Sequence, residues 1–293
     1  MPMIPACAML ARSMDPEPPQ TTLSATGGPP LFRHLRRGTL GLLVILLLAT
    51  IGILTWARLI TPADPAARRA LDSDDSIIVS RGDWISFRSR DSEAAVGVVV
   101  YPAARAEPAA YAPMLRRLAV DGYFVVLTPM PLNLAFLAPD SARRVMAQHP
   151  EISRWVLIGH DLGGKVAAWF AGRHPGEVTG LVLWAASPPP GVNLSREPWP
   201  VLSIGGSADT ITPPDNLLAG RSRLPPTTRY VEIPGADHWS FGNFEPAVPA
   251  AARPREEEQQ AAILDATEAL LAGIDTGRED ASPTLLQSPA PVR

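Results

Sequence analysis

The chain has 293 residues, of which 46% are hydrophobic and 19% are charged, and its formal net charge is -3. This composition excludes a fully disordered chain, and the small negative charge gives no electrostatic basis for binding nucleic acid. The only cysteine, Cys7, excludes a disulfide framework and any site built from several cysteines. No pair of histidines has metal-ligand spacing, so we expect neither a metal ion nor another cofactor.

The first predicted element is a membrane helix. Residues 39–57 contain no charged side chain and are mostly Leu, Ile and Val, so a helix of this length nearly spans a hydrocarbon core. Trp56 ends the run with an aromatic residue of the kind found at membrane interfaces. We predict a transmembrane helix over residues 39–60 of a single-pass cell-membrane protein. A cleaved signal peptide and a buried core helix are the alternatives.

The charges that flank this helix bear on its orientation. Three arginines precede it and three follow it: Arg33, Arg36, Arg37, Arg58, Arg68 and Arg69. The positive-inside rule gives a small preference for a cytoplasmic N-terminus, so we predict an extracytoplasmic domain after the helix. We expect residues 1–38 to form a disordered tail and residues 61–75 to form a linker.

After residue 75 the sequence alternates between short apolar runs and stretches with helical periodicity. The predicted strands lie at residues 77–79, 84–87, 96–101, 123–127, 155–158, 181–184, 201–204 and 230–233. The predicted helices lie at residues 108–120, 139–148, 162–172, 215–221 and 256–274. This alternation predicts an α/β domain over residues 76–274, built on a doubly wound, mostly parallel sheet, with a disordered tail over residues 275–293.

Ligands of such sheets bind beyond the carboxyl ends of the strands, so the residues just after each strand are candidates for a functional site. The segment Gly159–Gly164 follows the fifth predicted strand and has the pattern of a nucleophile elbow. In that turn the middle residue, here Asp161, is held in a strained conformation that exposes its side chain, and small residues around it let strand and helix approach. Asp209 and His238 each follow a later predicted strand.

This chain order of nucleophile, acid and histidine resembles the α/β-hydrolase fold, and within it the small capless hydrolases grouped as fold-5. Further segments that carry the resemblance are Tyr101–Pro102, Ala110–Pro113 with Leu115, Pro129–Ala135 and Gly235–Gly242. The resemblance covers residues 96 to about 274. It implies hydrolysis of a small-molecule substrate, with Asp161 as the nucleophile, His238 as the base and Asp209 as the acid.

The resemblance also implies an oxyanion hole made of backbone N–H groups, those of Leu162 and of Ala103 or Ala104. Two residues depart from the family pattern. Asp161 lies where the elbow residue is usually serine, and Ala103 lies where glycine is usual.

An aspartate at the elbow implies a different reaction from that of serine. Attack by a carboxylate on an ester carbonyl gives a mixed anhydride, whereas displacement at an alkyl carbon gives an ester that water can cleave. Alkyl halides and epoxides are then the favoured substrates, and Gly159–Gly164 is similar to the elbow of haloalkane dehalogenases and epoxide hydrolases. Dehalogenases have Trp where this chain has Leu162, and residues 185–200 leave no room for the helical cap of these enzymes.

Three hypotheses stay open. Asp161 forms a covalent ester, or it acts only as a base or electrostatic support in a water-activating hydrolase, or the domain is catalytically silent and serves as a membrane-tethered binding module. Lys165, the only lysine in the sequence, either pairs with Asp161 or belongs to a solvated helix face. Asp215 is a fallback for the acid. The sequence identifies no protein partner.

Overall fold

The structure is a computed structural model that describes residues 30–245 and 255–276. It divides into two compact units, Met1–Ile51 and Gly52–Arg293. Most of the two predicted tails lies outside the described residues. Residues 30–38 and 275–276, which we expected to be disordered, are helical. Each continues a long neighbouring helix, and extending a helix that already exists avoids the cost of nucleation.

Helix α1 spans Pro30–Arg58 and contains the predicted membrane segment. Its stretch Gly38–Trp56 has a mean hydropathy of 2.4 and none of it is buried within the protein. Leu43 and Ile45, for example, are more than 60% exposed. The alternative of a buried core helix is therefore wrong, and α1 is long and apolar enough to span a membrane.

Residues 61–75, expected to be a linker, belong to the second unit. They contain helix α2, Pro65–Arg69, whose N-terminus is capped by Asp64. Ala63 and Ala67 are completely buried in the core. The alanines fit there because their side chains are small enough for close backbone approach, so this stretch is part of the folded unit.

The second unit is built on an eight-stranded sheet. Its strands are β1 Ile77–Arg81, β2 Ile85–Ser89, β3 Val96–Tyr101, β4 Phe124–Leu127, β5 Arg154–His160, β6 Gly180–Trp184, β7 Val201–Gly206 and β8 Arg229–Ile233. The strand order is β1-β2-β4-β3-β5-β6-β7-β8. Strands β3 to β8 are parallel, and the antiparallel β1–β2 hairpin extends one edge. The prediction of a mostly parallel α/β sheet is confirmed.

Helices cover both faces of this sheet. The remaining helices are α3 Ala112–Val120, α4 Ser141–Gln148, α5 Leu162–Arg173, α6 Pro214–Ala219 and α7 Glu256–Thr276. Helices α2, α3 and α7 contribute to the core on one face, and α4 and α5 contribute to the core on the other. Residues 185–200, all of them described, contain neither a helix nor a strand, as expected for a chain without a cap.

Backbone strain is concentrated at the carboxyl edge of the sheet. The non-glycine residues with positive φ in the described part of the chain are Arg105, Leu132, Asn133, Asp161 and Ala185. They follow β3, β4, β5 and β6, so every one lies where this fold class binds its ligands. Residues held in such conformations cluster at functional sites, which directs attention to this edge.

Candidate active site

Asp161 occupies the turn between β5 and α5 with φ 48° and ψ -115°. Its N–H donates to the carbonyl of Trp184 at 3.0 Å, and its own carbonyl accepts from the N–H of Lys165 at 3.1 Å. These two bonds hold a backbone conformation that costs a non-glycine residue about 1–3 kcal/mol. Such a strained residue between a strand and a helix is what the predicted nucleophile elbow requires, and the Asp161 side chain is 18% exposed.

Three glycines make this turn possible. A Cβ atom on Gly163 would collide with the carbonyl oxygens of Tyr101 and Pro102, and one on Gly164 would collide with the side chain of Ala186. A Cβ on Gly159 would collide with the backbone of Gly164. Strand and helix therefore approach as closely as a peptide backbone allows, which fixes where Asp161 lies relative to the neighbouring loops.

The loops after β7 and β8 bring Asp209 and His238 together. Nδ1 of His238 lies 2.8 Å from Oδ2 of Asp209, and both side chains are almost completely buried. The other carboxylate oxygen of Asp209 accepts from the N–H groups of Ile211 at 2.8 Å and Thr212 at 2.7 Å. Since an ionised carboxylate only accepts, Nδ1–H of His238 donates to Asp209, and Nε2 is the ring nitrogen that this bond leaves available.

Gly206 and Ala236 fix the distance between these two loops. The N–H of Ala208 donates to the carbonyl of Ala236 at 3.0 Å. A Cβ on Gly206 would collide with the same carbonyl, so only glycine permits this approach. Asp215, the fallback acid, is exposed near the start of α6. The partner of His238 is Asp209, as the strand positions predicted.

A second buried histidine stacks on the first. The rings of His160 and His238 are 4.8 Å apart between centroids and inclined by 36°. Nδ1 of His160 and the hydroxyl of Tyr111 share a hydrogen bond of 2.8 Å. Burial, and secondarily the neighbouring His238 ring, lowers the pKa of His160 well below its usual value. The ring is thus neutral at physiological pH, and its buried Nε2 has no partner in the described part of the chain.

Tyr111 also changes the predicted oxyanion hole. Its hydroxyl accepts from the N–H of Ala103 at 3.1 Å, and burial raises the pKa of the phenol, so the hydroxyl stays protonated. The prediction that Ala103 is an oxyanion donor is wrong for this state, because its N–H is already used. Within the described residues the N–H groups of Ala104 and Leu162 take part in no hydrogen bond. In the sequence, Tyr111 is only one of the residues that carry the family resemblance, and its hydrogen bond to Ala103 was not predicted.

Lys165 is paired with the elbow carboxylate. Its Nζ lies 3.5 Å from Oδ1 of Asp161, one helical turn away, while the Lys165 side chain is 43% exposed. Both sequence interpretations of this lysine are therefore correct. In the described part of the chain, no hydrogen bond or ion pair joins His238 to Asp161. The described residues likewise contain no group of three or more His, Cys, Asp or Glu side chains that could hold a metal ion.

The tryptophans near this edge act mainly in packing. Trp184 is completely buried and donates through Nε1 to the hydroxyl of Thr267 at 3.3 Å, which ties β6 to α7. Nε1 of Trp199 is buried and has no partner within the described residues.

A family model described as the alpha/beta hydrolase family matches residues 97–261. This is more than half of the chain, and the protein belongs to that family. The strand order and the positions of Asp161, Asp209 and His238 after β5, β7 and β8 agree with the membership.

Several solved structures are similar in fold. A protein of unknown function from Agrobacterium tumefaciens shares 16% identity, with a TM-score of 0.47 over 67% of this chain and 97% of that chain. An alpha/beta hydrolase enzyme from the metagenome of Mar Chica lagoon sediments in Morocco shares 16% identity, with a TM-score of 0.45 over 57% and 91%. A thermophilic esterase from Thermogutta terrifontis, solved with malate bound, shares 15% identity, with a TM-score of 0.46 over 69% and 99%. No curated protein matches the sequence significantly.

Proposed function

We propose that this protein is a membrane-anchored hydrolase of a small-molecule substrate, with Asp161, His238 and Asp209 as its catalytic residues and no cofactor. The observation that carries the proposal is the buried His238–Asp209 hydrogen bond of 2.8 Å at the same sheet edge as the strained elbow at Asp161. A buried carboxylate that orients a histidine whose second nitrogen makes no hydrogen bond is the arrangement of a general base.

The chemistry follows from the carboxylate at the elbow. One oxygen of Asp161 attacks an alkyl carbon of the substrate, a carbon–oxygen bond forms, and the bond to a halide or to an epoxide oxygen breaks. The epoxide oxygen then takes a proton, whereas halide leaves as the anion. The product is an alkyl ester of Asp161.

Water cleaves this ester in the second step. Nε2 of His238 takes a proton from the water, whose oxygen bonds to the carboxyl carbon of Asp161. Collapse of the tetrahedral intermediate expels the alcohol, which takes the proton from His238. Asp161 keeps one oxygen from water and releases the remaining proton to solvent, which restores its carboxylate. The lack of direct contact between His238 and Asp161 suits this scheme, because the attacking water must lie between them.

The N–H groups of Leu162 and Ala104 are the proposed oxyanion donors for that intermediate. They flank the elbow from α5 and from the loop after β3. Removal of one side-chain oxyanion donor in another hydrolase costs about 2.7–4 kcal/mol, which sets the scale for donors of this kind.

A catalytically silent binding module is the second candidate, and two contacts favour it. The N–H of Ala103 is engaged by Tyr111 rather than open, and Lys165 pairs with the carboxylate that would have to react. In a related third scheme Asp161 is only a base or electrostatic support for a water that attacks the substrate directly.

One labelling experiment separates these schemes. The full chain is screened against alkyl halides, epoxides and short esters, and a substrate that turns over is used repeatedly in water enriched in heavy oxygen. Trypsin releases residues 155–165, in which Asp161 is the only acidic side chain. After digestion in ordinary water we expect this peptide to contain heavy oxygen in the Asp161 carboxylate. The Asp209 carboxylate is the internal control and should contain none.

The outcomes are distinct. Turnover without label in Asp161 would contradict the covalent scheme and favour direct attack by water. No turnover on any class of substrate, together with ligand binding, would favour the silent module. In a His238→Gln variant the ester should accumulate, because its cleavage lacks a base.

The membrane part of the proposal rests on α1. We propose residues 39–60 as the anchor, residues 76–274 with the packed stretch 61–75 as an extracytoplasmic hydrolase domain, and residues 1–38 and 275–293 as its flanking segments. The apolar stretch Gly38–Trp56 supports the anchor, and the arginine distribution supports the orientation.

A further inference from the structure

The loop after β4 exposes a group of large apolar side chains beside the candidate site. Leu132, Phe136 and Leu137 are 40%, 54% and 45% exposed. These three side chains lie within six residues of one loop, and several exposed apolar side chains in one loop indicate a surface that another apolar phase covers. The loop also has positive φ at Leu132 and Asn133, so it holds this presentation at a conformational cost.

Two more apolar residues adjoin this group through Arg105. Leu59 and Ile60 are 59% and 39% exposed. Nε of Arg105 donates to the carbonyl of Leu59 at 2.7 Å, and the N–H of Arg105 donates to the carbonyl of Asn133 at 3.1 Å. We call Leu59, Ile60, Leu132, Phe136 and Leu137 the apolar rim.

The apolar rim is continuous with the end of the membrane-spanning stretch. That stretch ends at Trp56, only three residues before Leu59. The guanidinium of Arg105 lies over the Trp56 ring, 5.2 Å from its centroid. Tryptophan and arginine at the end of an apolar helix mark the level of the lipid headgroups, so Arg105 is held at that level by direct contact.

Arg105 also borders the catalytic site. It follows Ala104, a proposed oxyanion donor, and its carbonyl accepts from the N–H of Thr61 at 2.6 Å. The loop that forms one side of the oxyanion hole is thus fastened to the segment that leaves the membrane.

We propose that the apolar rim lies in the headgroup region of the bilayer that anchors the chain, so that the site receives substrates from the lipid phase. This deepens the proposed function and rests on the membrane anchor in it. The substrate class is amphipathic molecules that partition into the membrane interface and present an alkyl halide, epoxide or ester group there. The partner is the lipid surface itself, since chain connectivity alone brings the rim to it.

Val120 provides a matched control. It is 59% exposed, close to the 54% of Phe136, but it ends α3 at the opposite edge of the sheet, where the parallel strands begin. Val120 and Phe136 are therefore both apolar and similarly exposed, but they lie at opposite edges of the sheet.

The test measures lipid contact by fluorescence and is independent of catalysis. The full chain carrying Cys7→Ser and either Phe136→Cys or Val120→Cys is labelled with an environment-sensitive thiol-reactive fluorophore and reconstituted into phosphatidylcholine vesicles with or without spin-labelled lipid. We expect spin-labelled lipid to reduce emission at position 136 at least about twofold and to leave position 120 unchanged, because apolar interfacial residues lie at the headgroup–acyl boundary. Leu137→Cys replaces Phe136→Cys if the latter does not fold.

Flotation of the vesicles distinguishes the failures. If the protein floats and position 136 is not quenched more than position 120, the rim proposal is overturned while the anchor stands. In that case a blue-shifted emission from the label at position 136 would show that a chain segment or a second copy covers the rim instead. If the protein does not float, the anchor itself fails and the rim proposal fails with it. Neither reading depends on whether Asp161 is a nucleophile.

Discussion

At the level of single residues, the proposed chemistry depends on Asp161, which lies where the family resemblance leads us to expect serine. The turn that holds it has φ 48° and closely packed glycines around it. The charge of the side chain, rather than the shape of the turn, is what differs. The elbow should therefore accept a serine without rebuilding.

We expect Asp161→Ser to gain hydrolysis of short esters. A serine hydroxyl near Nε2 of His238 can be deprotonated as it attacks, which an acyl substrate requires. The gain should be at least about a hundredfold over Asp161→Ala in initial-rate assays, the lower end of what a positioned base contributes. The double variant with His238→Gln is the control and should lose the gain. Equal rates for Asp161→Ser and Asp161→Ala would indicate a degraded site.

His160 makes folding stability depend on pH. Its pKa is held well below the usual value by burial, so between about pH 6.5 and that lowered pKa the unfolded chain binds a proton that the folded chain does not. Stability therefore falls as the pH falls below about 6.5, by about 1.4 kcal/mol per pH unit for this one proton. Urea titrations of the full chain in detergent over a pH series measure this slope.

One variant isolates that contribution. His160→Gln should flatten the slope, whatever it costs in absolute stability. An unchanged slope in this variant would contradict the assignment to His160.

At the level of elements, the close approach of α5 to the β3 loop is the feature most sensitive to substitution. We expect Gly163→Ala to lower the free energy of unfolding by at least about 2 kcal/mol, because the new methyl group meets backbone carbonyls that cannot rotate away. Gly176→Ala adds the same group where nothing lies within 4 Å and should change stability by less than about 0.5 kcal/mol. Chemical denaturation of both variants checks the contrast, and equal losses would refute the packing argument.

Helices and strands could be predicted from the sequence where the pattern of apolar residues within each segment is clear. β3 coincides with its prediction, Val96–Tyr101, because its run of buried apolar residues is unbroken. β5 is longer than predicted, since Arg154 at one end and Gly159–His160 at the other pair within the sheet although they are not apolar strand formers. The predicted helix at residues 108–120 begins as a tight turn, Pro108–Tyr111, before α3.

Some features of the candidate site could be predicted from the sequence and others could not. Asp161, Asp209 and His238 could be found because each follows a recognisable strand, and strand position alone places them at one edge. The use of the Ala103 N–H could not be foreseen, because it depends on a hydroxyl that folds back from a residue eight positions later. The distance between Asp161 and His238 likewise depends on side-chain rotamers rather than on chain order.

At the level of the whole molecule, the described residues include one helix that is apolar enough to span a membrane and a hydrolase-fold unit after it. Cys7 lies before this helix and is the only cysteine, so the protein carries its own orientation marker. If the N-terminus is cytoplasmic, a membrane-impermeant maleimide should leave Cys7 unlabelled in intact cells or spheroplasts and label it after lysis.

The matched probe lies on the other side of the helix. A Cys7→Ser, Val120→Cys variant should react before lysis, because Val120 is exposed on the proposed extracytoplasmic domain. The opposite pattern would reverse the orientation. Labelling of neither cysteine before lysis would indicate that both ends are inside.

The ion pair between Lys165 and Asp161 has a practical consequence. Because Lys165 is the sole lysine and is 43% exposed, amine-directed reagents such as succinimidyl esters have one side-chain target in the entire polypeptide, apart from the terminal α-amino group. That target adjoins the elbow, so acylation there would neutralise the cation facing Asp161 without touching any other side-chain amine. Coupling to amine-reactive resins would for the same reason attach the protein through a side chain beside Asp161.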